Sequence, residues 1–467
     1  MSSVAPYLIG LETGDKPKYI VICDLIRQRI IDHHLKPGER LPASRNLAVE
    51  VGVSRTSIVS AYEQLKAEGY LHSRVGDGYY VSSVGHLDLP TAADKQFSTE
   101  SAEEHPDVAY SHHSLADMRL FPYRTWGRCV AKVARQKPEA LINVDSAFGD
   151  KLLRKAIAQY LFDWRGLKCN PAQILITAGS IDGLELCVRT LVGVGEQVGL
   201  EDPGYLPLRR YIARLGIQPR WMQIDGQGAR VPENNPPRLA IITPSHQFPL
   251  GGTMSPKRRT EFINWAHKNQ SWILEDDYDS EFRFSGTPIP ALTGMDHLNR
   301  SIYIGSFAKI FSTGLRLGFL VLPELLIDPF RESLNLFSTK SSISMQRPLA
   351  DFIQSGEFYR HLRRVRRIYS ERRKVLLDQI DQHLHHWIDY EDWQAGMQLL
   401  VNLKFEISDA EITGRLRERG IQITPLSKYY SDKTDKSGLL LGFCAYQPEE
   451  ITHQVALIRQ TFEELVG

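Results

Sequence analysis

Between Lys18 and His34 the apolar positions are Ile22, Leu25, Ile26, Ile30 and Ile31. Spacings of three and four place them on one helix face. Pro37-Gly38 breaks the pattern. Ser44 is positioned to cap a short second helix with Leu47 and Ala48 turned inward. Val51-Gly52-Val53 predicts a tight turn, and Ser54 is positioned to cap a third helix that buries Ile58, Ala61, Tyr62 and Leu65. Gly69 ends it. From Tyr70 to Val81 the residues alternate around Gly76-Asp77-Gly78, a hairpin signal. Helix, turn, helix and hairpin predict a winged helix-turn-helix over residues 1–82.

The periodicity then stops. Residues 83–107 hold Asp88, Asp94, Glu100, Glu103, Glu104 and Asp107 against a single Lys95, which predicts a linker. From 108 to 467, helix-like stretches alternate with short apolar runs at Gln173–Thr177, Leu239–Thr243, Trp272–Glu275 and Ser301–Gly305. This alternation predicts an α/β domain with a mostly parallel sheet. A long Arg-rich helix from about 355 leads into a smaller α+β part with strands near 396–403 and 438–444.

Composition adds limits. The net charge is +1, so nucleic-acid binding has to come from a local patch. In residues 1–82, Lys and Arg number ten (four and six) against nine acids. Cys23, Cys129, Cys169, Cys187 and Cys444 are scattered, without a CxxC pair, which argues against a disulfide framework or a zinc site. No run of about 18 apolar residues and no secretory start occurs, so the expected location is the cytoplasm, with no membrane span.

Two groups of residues carry chemistry. Ser54, Arg55, Thr56 and Ser57 open the third helix with small donors, a guanidinium and a positive dipole end, suited to a DNA groove. Arg45 can reach the backbone from the second helix and Arg74 from the wing. A protein-binding helical unit is the alternative on pattern alone.

In the larger domain Lys309 follows an apolar strand, where burial lowers an amine's pKa and keeps it nucleophilic. Ser306 and Arg316 stand near it as phosphate partners. Asp276 and Tyr278 end the strand Trp272–Glu275, where a carboxylate can face a pyridine nitrogen and a phenol a ring hydroxyl. Gly179, Ser180 and Ile181 open a helix, a phosphate cradle. Tyr205 offers a ring for stacking, and Gln247 a polar side chain between prolines. Each signal is weak alone: a lysine after a strand is more often a surface lysine, and an acidic strand end can hold a metal.

The segments PGERLPASR, VSRTS, LKAEGYL and RVGDGYYV resemble the GntR family of bacterial regulators. EDPGY, TPSHQFPLGG, EDDYDSEFRF and GSFAKIFSTGLRLGF, in this order, resemble fold-type I enzymes that use pyridoxal 5′-phosphate (PLP). The ensemble resembles the MocR/GabR branch of GntR regulators. That resemblance implies a homodimer that binds double-stranded operator DNA and responds to a small amine or amino acid, or to PLP itself. It implies Lys309 as the Schiff-base lysine, Asp276 at the ring nitrogen, Tyr278 at the ring hydroxyl and Tyr205 on the ring face. Ser180, Ile181, Ser306 and Arg316 take the phosphate, and Gln247 lies near the ring hydroxyl.

Several positions depart from the pattern. Ile181 stands where relatives have Gln, and Val144–Gly149 replaces a Y-x-D-P-x-G segment. Pro207 stands where the GABA-responsive relative has Arg. No Arg occurs between Ile421 and Ile458, leaving Lys428 as the nearest cation for a substrate carboxylate. These departures favour a regulator over an efficient aminotransferase, the alternative. Arg360, Arg363, Arg364, Arg367, Arg372 and Arg373 are expected on a solvated face, with a second DNA surface as the alternative.

Overall fold

A computed structural model describes residues 17–74, 76–83, 115–143, 146–286, 288–338 and 341–466. The chain divides into two compact units, Met1–His105 and Pro106–Gly467. The expected linker lies, from residue 84 on, outside the described residues.

The first unit holds α1 (Lys18–Ile31), α2 (Ser44–Val51), α3 (Arg55–Ala67) and the antiparallel hairpin β1 (Leu71–Arg74) and β2 (Gly78–Val81). Its core is Ile22, Ile26, Leu47, Ile58, Tyr62 and Leu65, the residues the helical spacing turned inward. One expected cap is corrected. Ser44 is the first helical residue, and the cap position belongs to Ala43, which offers no side-chain acceptor. Ser54 does cap α3: its Oγ accepts from the Ser57 amide at 3.1 Å.

The second unit is built on an eight-stranded sheet. Its strands are β3 (Ile174–Thr177), β4 (Gln197–Asp202), β5 (Gln218–Asp225), β6 (Gly228–Ala229), β7 (Leu239–Ile242), β8 (Trp272–Asp277), β9 (Ser301–Ser306) and β10 (Gly318–Val321). The order is β3-β10-β9-β8-β7-β4-β5-β6. The run β9-β8-β7-β4-β5 is parallel, whereas β10 is antiparallel to both neighbours. Both faces are covered. Ile174, Ile176, Tyr303, Phe319 and Val321 feed one core, while Leu175, Ile302, Ile304 and Leu320 feed the other. That period of two explains why these strands read as unbroken apolar runs.

A second, antiparallel sheet has the order β11-β12-β14-β13, from β11 (Ile388–Tyr390), β12 (Gln398–Leu403), β13 (Thr424–Pro425) and β14 (Gly438–Gly442). The helix Glu357–His383 precedes it. Arg360, Arg363, Arg364 and Arg367 are exposed on this helix, but Arg372 and Arg373 are buried, which corrects part of the expected solvated face. Arg372 lies on the stripe Leu362, Val365, Tyr369, Leu376 and pairs with buried Asp117 at 2.7 Å. Arg373 pairs with Asp392. Among the described residues no helix is long and apolar enough to cross a membrane.

Candidate functional site

The sheet register brings distant segments together. Gly318 of β10 sits opposite Thr177 of β3 on one side and Ser306 of β9 on the other. The segments 177–181, 306–309 and 316–318 therefore meet at one end of the sheet. Here the helix Ser180–Leu191 begins, its N-cap Gly179 at φ +92° carrying no side chain. Its first amides have no acceptor within the helix. Gly318 lets this turn approach, since a Cβ there would lie 2.8 Å from the Gly179 carbonyl carbon and 3.0 Å from its Cα. Ser180 and Ser306 are half-buried, and Ile181 is 49% exposed. Ser306 Oγ accepts from the Ala308 amide at 3.2 Å. Arg316 occupies the left-handed region at φ +47°, one residue before the buried Leu317.

Asp276 and Asp277 sit opposite Ile304 and Gly305 of β9, so Asp276 enters the same neighbourhood from the next strand. Alternation along β8 sends the two carboxyls to opposite faces. Asp277 meets the guanidinium of Arg165 at 2.8 Å, Ser280 Oγ at 2.8 Å and the Tyr303 hydroxyl. This buried ion pair holds the end of the strand from behind. Asp276 instead lines a cavity with Glu201, Tyr205, Arg209, Thr243 and Phe248. Burial, reinforced by Asp277, Glu201 and Asp279, pushes its carboxyl up to about 7, against an opposing pull from Lys309. Burial lowers the Lys309 amine, and the nearby Asp279, Cys444 and Asp276 act in the opposite direction.

Tyr205, Phe248 and Tyr278 form a chain of edge-on rings, with centroids 6.0 and 5.8 Å apart. Tyr278 Oη lies 2.9 Å from His246 Nδ1. Gln247 is engaged by its own loop and by the segment Glu201–Pro203. Its Nε2 donates to Phe248 O at 2.7 Å, Pro203 O at 3.0 Å and Glu201 Oε2 at 3.2 Å, and its Oε1 accepts from the Leu250 amide. Lys428 is exposed on the turn Leu426–Tyr429. The guanidinium lining the cavity is Arg209, whose Nη1 donates to Tyr429 O and Tyr430 O at 2.9 and 2.7 Å.

In the first unit, Ser54, Arg55 and Thr56 are exposed at the start of α3, and Ser57 is half-buried beside them. Arg45 is exposed on α2, and Arg74 lies over the Tyr80 ring at 4.5 Å.

The chain matches two family models: "Bacterial regulatory proteins, gntR family" over residues 18–81 and "Aminotransferase class I and II" over residues 128–457. It is 33% identical over 465 residues to the probable rhizopine catabolism regulatory protein MocR of Rhizobium meliloti, covering 96% of this chain and 94% of that one. The chain belongs to the MocR-type GntR regulators. It is also 31% identical to the pyridoxine biosynthesis transcriptional regulator PdxR of Corynebacterium glutamicum, over 94% of each chain. Among solved structures, an archaeal alanine:glyoxylate aminotransferase superposes with a TM-score of 0.69 at 25% identity, over 75% of this chain and 89% of that one. A Pyrococcus horikoshii kynurenine aminotransferase gives 0.70 at 21% identity, over 76% and 91%.

The protein is therefore a DNA-binding transcription regulator with an aminotransferase-like domain, and PLP is the cofactor of that domain. The residues fit the cofactor. An amine of lowered pKa, a half-buried carboxyl lining the cavity, two tyrosines and a helix start opened by Gly179 and Gly318 are the donor set a pyridine aldehyde phosphate needs.

Sequence reasoning passed over Glu201, Arg209, His246, Phe248 and Asp279. The period-two alternation of EDDYD separates Asp276 from Asp277 by itself. The contacts of His246 and Arg209 span more than 30 and 200 residues, and no local pattern announces them.

Proposed function

We propose that PLP, alone or with a small amine or amino-acid effector, binds at the Lys309 site and changes the affinity of α3 and the wing for operator DNA. The observation that carries this reading is the convergence of 177–181, 306–309 and 316–318 on Gly318, beside Asp276, in a chain whose residues 18–81 match the GntR family. Lys309 is the residue to which the cofactor attaches. Asp276 faces the ring nitrogen, Tyr278 the ring hydroxyl and Tyr205 the ring face. Ser180, the Ile181 amide, Ser306 and Arg316 hold the phosphate. Gln247 shapes the loop beside the ring hydroxyl. When bound, PLP supplies an aldehyde that combines reversibly with amines and a ring that withdraws electrons. The chain's own part is to place a nucleophilic amine and to set the half-buried Asp276 carboxylate where it keeps the ring nitrogen protonated.

On the DNA side, Ser54, Arg55, Thr56 and Ser57 enter the groove, while Arg45 and Arg74 grip the backbone. Two copies of the chain read paired half-sites, as a symmetric dimer requires. Such a regulator works in the cytoplasm. Regulation is favoured over aminotransferase turnover because Arg209, the guanidinium lining the cavity, already holds two backbone carbonyls.

The test is fluorescence anisotropy of DNA from upstream of the protein's own gene, titrated with cofactor-free and PLP-loaded protein at fixed salt. Linkage requires DNA to change PLP affinity by the factor by which PLP changes DNA affinity. Equal DNA affinity with and without PLP, and with an amine panel added, overturns the reading.

A further inference from the structure

Behind Tyr278 lies a buried polar pair, His246 and Asp279. His246 Nδ1 is 2.9 Å from Tyr278 Oη, 2.9 Å from Asp279 Oδ2 and 3.1 Å from Asp279 Oδ1. Both His246 and Asp279 are buried. The imidazole is clamped in place. A Cβ at Gly396 would lie 2.2 Å from His246 Cε1 and 2.9 Å from Nδ1, so only glycine leaves room for the ring. The two rings of His246 and Tyr278 lie at 28° to one another with centroids 5.8 Å apart.

With Asp279 ionised, one arrangement of protons suits this geometry. A carboxylate accepts and does not donate, so the ring nitrogen facing both of its oxygens carries the hydrogen. A bare Nδ1 lone pair there would oppose the carboxylate. With its hydrogen already directed at Asp279, Nδ1 cannot also accept from the phenol. Tyr278 Oη then sits as a second acceptor of that N–H, and its own hydrogen points elsewhere.

We propose that His246 and Asp279 are positioning residues that turn the Tyr278 hydroxyl into a donor aimed at the cofactor. The proposal rests on the placement of PLP at this site. Asp279 fixes the imidazole, the imidazole fixes the phenol oxygen, and the phenol hydrogen is left for the ring hydroxyl of PLP. The acid directly after the tyrosine in DDYD and the histidine directly before Gln247 thus belong to one device. A histidine that merely packs the loop would leave the direction of the phenol hydrogen unset.

The test is a set of full-length variants loaded with PLP, read by the pH midpoint of the visible absorbance change. The titratable groups that act on Tyr278 are Asp279, Asp276, Glu201 and, from the other face of the strand, Asp277; Asp279, Cys444 and Asp276 act on Lys309, and the variants leave all of them in place. Tyr278→Phe is expected to raise the midpoint by about one unit or more, since it removes a donor to an oxygen that carries negative charge. His246→Leu is expected to shift it the same way by a smaller amount. His246→Asn, which keeps an N–H near the Nδ1 position, is expected to restore most of the wild-type value. In the Tyr278→Phe background, His246→Leu is expected to add nothing. If His246→Leu does not fold, the Asn variant alone and in the Tyr278→Phe background carries the comparison. An additive shift in the double variant, or an unchanged midpoint with a lowered melting temperature, overturns the proposal. A wild-type protein that develops no visible band with PLP overturns the site itself, a result distinct from a band indifferent to His246.

Discussion

Gly318→Ala tests whether the close approach of three segments makes the cofactor site. Gly318 lies in strand β10 and does not have a positive φ, so space and not backbone strain decides the outcome. The new methyl would stand 2.8 Å from the Gly179 carbonyl carbon, 3.0 Å from its Cα and 3.0 Å from Gly305 O, all backbone atoms. Carbon pairs relax at about 3.5–4.0 Å, so the turn has to retreat by roughly 0.7 Å or more. Overpacking of this kind costs about 1–3 kcal/mol. Retreat of Gly179 also displaces the proposed phosphate turn, and a loss of about 1.4 kcal/mol there weakens PLP about tenfold. All seven tryptophans, from Trp126 to Trp393, lie in the larger unit, so their fluorescence in urea follows that unit alone. The control is Gly414→Ala in the helix Asp409–Glu418, where a Cβ meets nothing within 4 Å. It is expected to gain about 0.5–1 kcal/mol. An alanine at 318 that leaves both the urea midpoint and the PLP titration at wild-type values would refute the reasoning.

Three further outcomes are expected. Ser54→Ala should cost about 1 kcal/mol through the lost Ser57 cap, read from the thermal transition of the first unit, whereas Arg55→Ala should leave that transition in place and weaken operator binding by about 1–3 kcal/mol. Arg372→Leu strands Asp117 with half-exposed Arg119 as its remaining cation, and should destabilise the larger unit by about 3 kcal/mol in urea. Burial pushes Glu201 up to about 7, so in the folded chain it keeps a proton that the unfolded chain releases near its ordinary value of about 4.5. Stability of the cofactor-free protein then falls as pH rises through that window, and Glu201→Gln should flatten the fall in melting temperature between these pH values; an unchanged slope would count against a buried neutral Glu201.

Much of this protein is legible one residue after another. Helix faces, the Ser54 cap, the hairpin at Gly76–Gly78 and the strands Ile174–Thr177 and Ser301–Ser306 follow from periodicity and turn chemistry, because these are local preferences of the backbone. The residues around Lys309 stand at strand ends and helix starts that are visible in the chain, while their roles followed from the family resemblance of the motifs in order. Ser44 went astray because a cap depends on where the helix actually begins, one residue that propensity cannot separate. Arg372 could have been seen on the stripe of Leu362, Val365, Tyr369 and Leu376, although its partner Asp117 could not. What only the tertiary structure decided is which distant side chains meet. The antiparallel insertion of β10 between β3 and β9 places Gly318 against Gly179, and it sets Arg316 and Ser306 at the same end of the sheet. Packing of Gly396, in the bend just before β12, against His246 leaves the imidazole between Asp279 and Tyr278, and Tyr429–Tyr430 occupy Arg209. These contacts depend on register and close packing across the chain, whose energies are set by neighbours in space and carry no signature along the sequence.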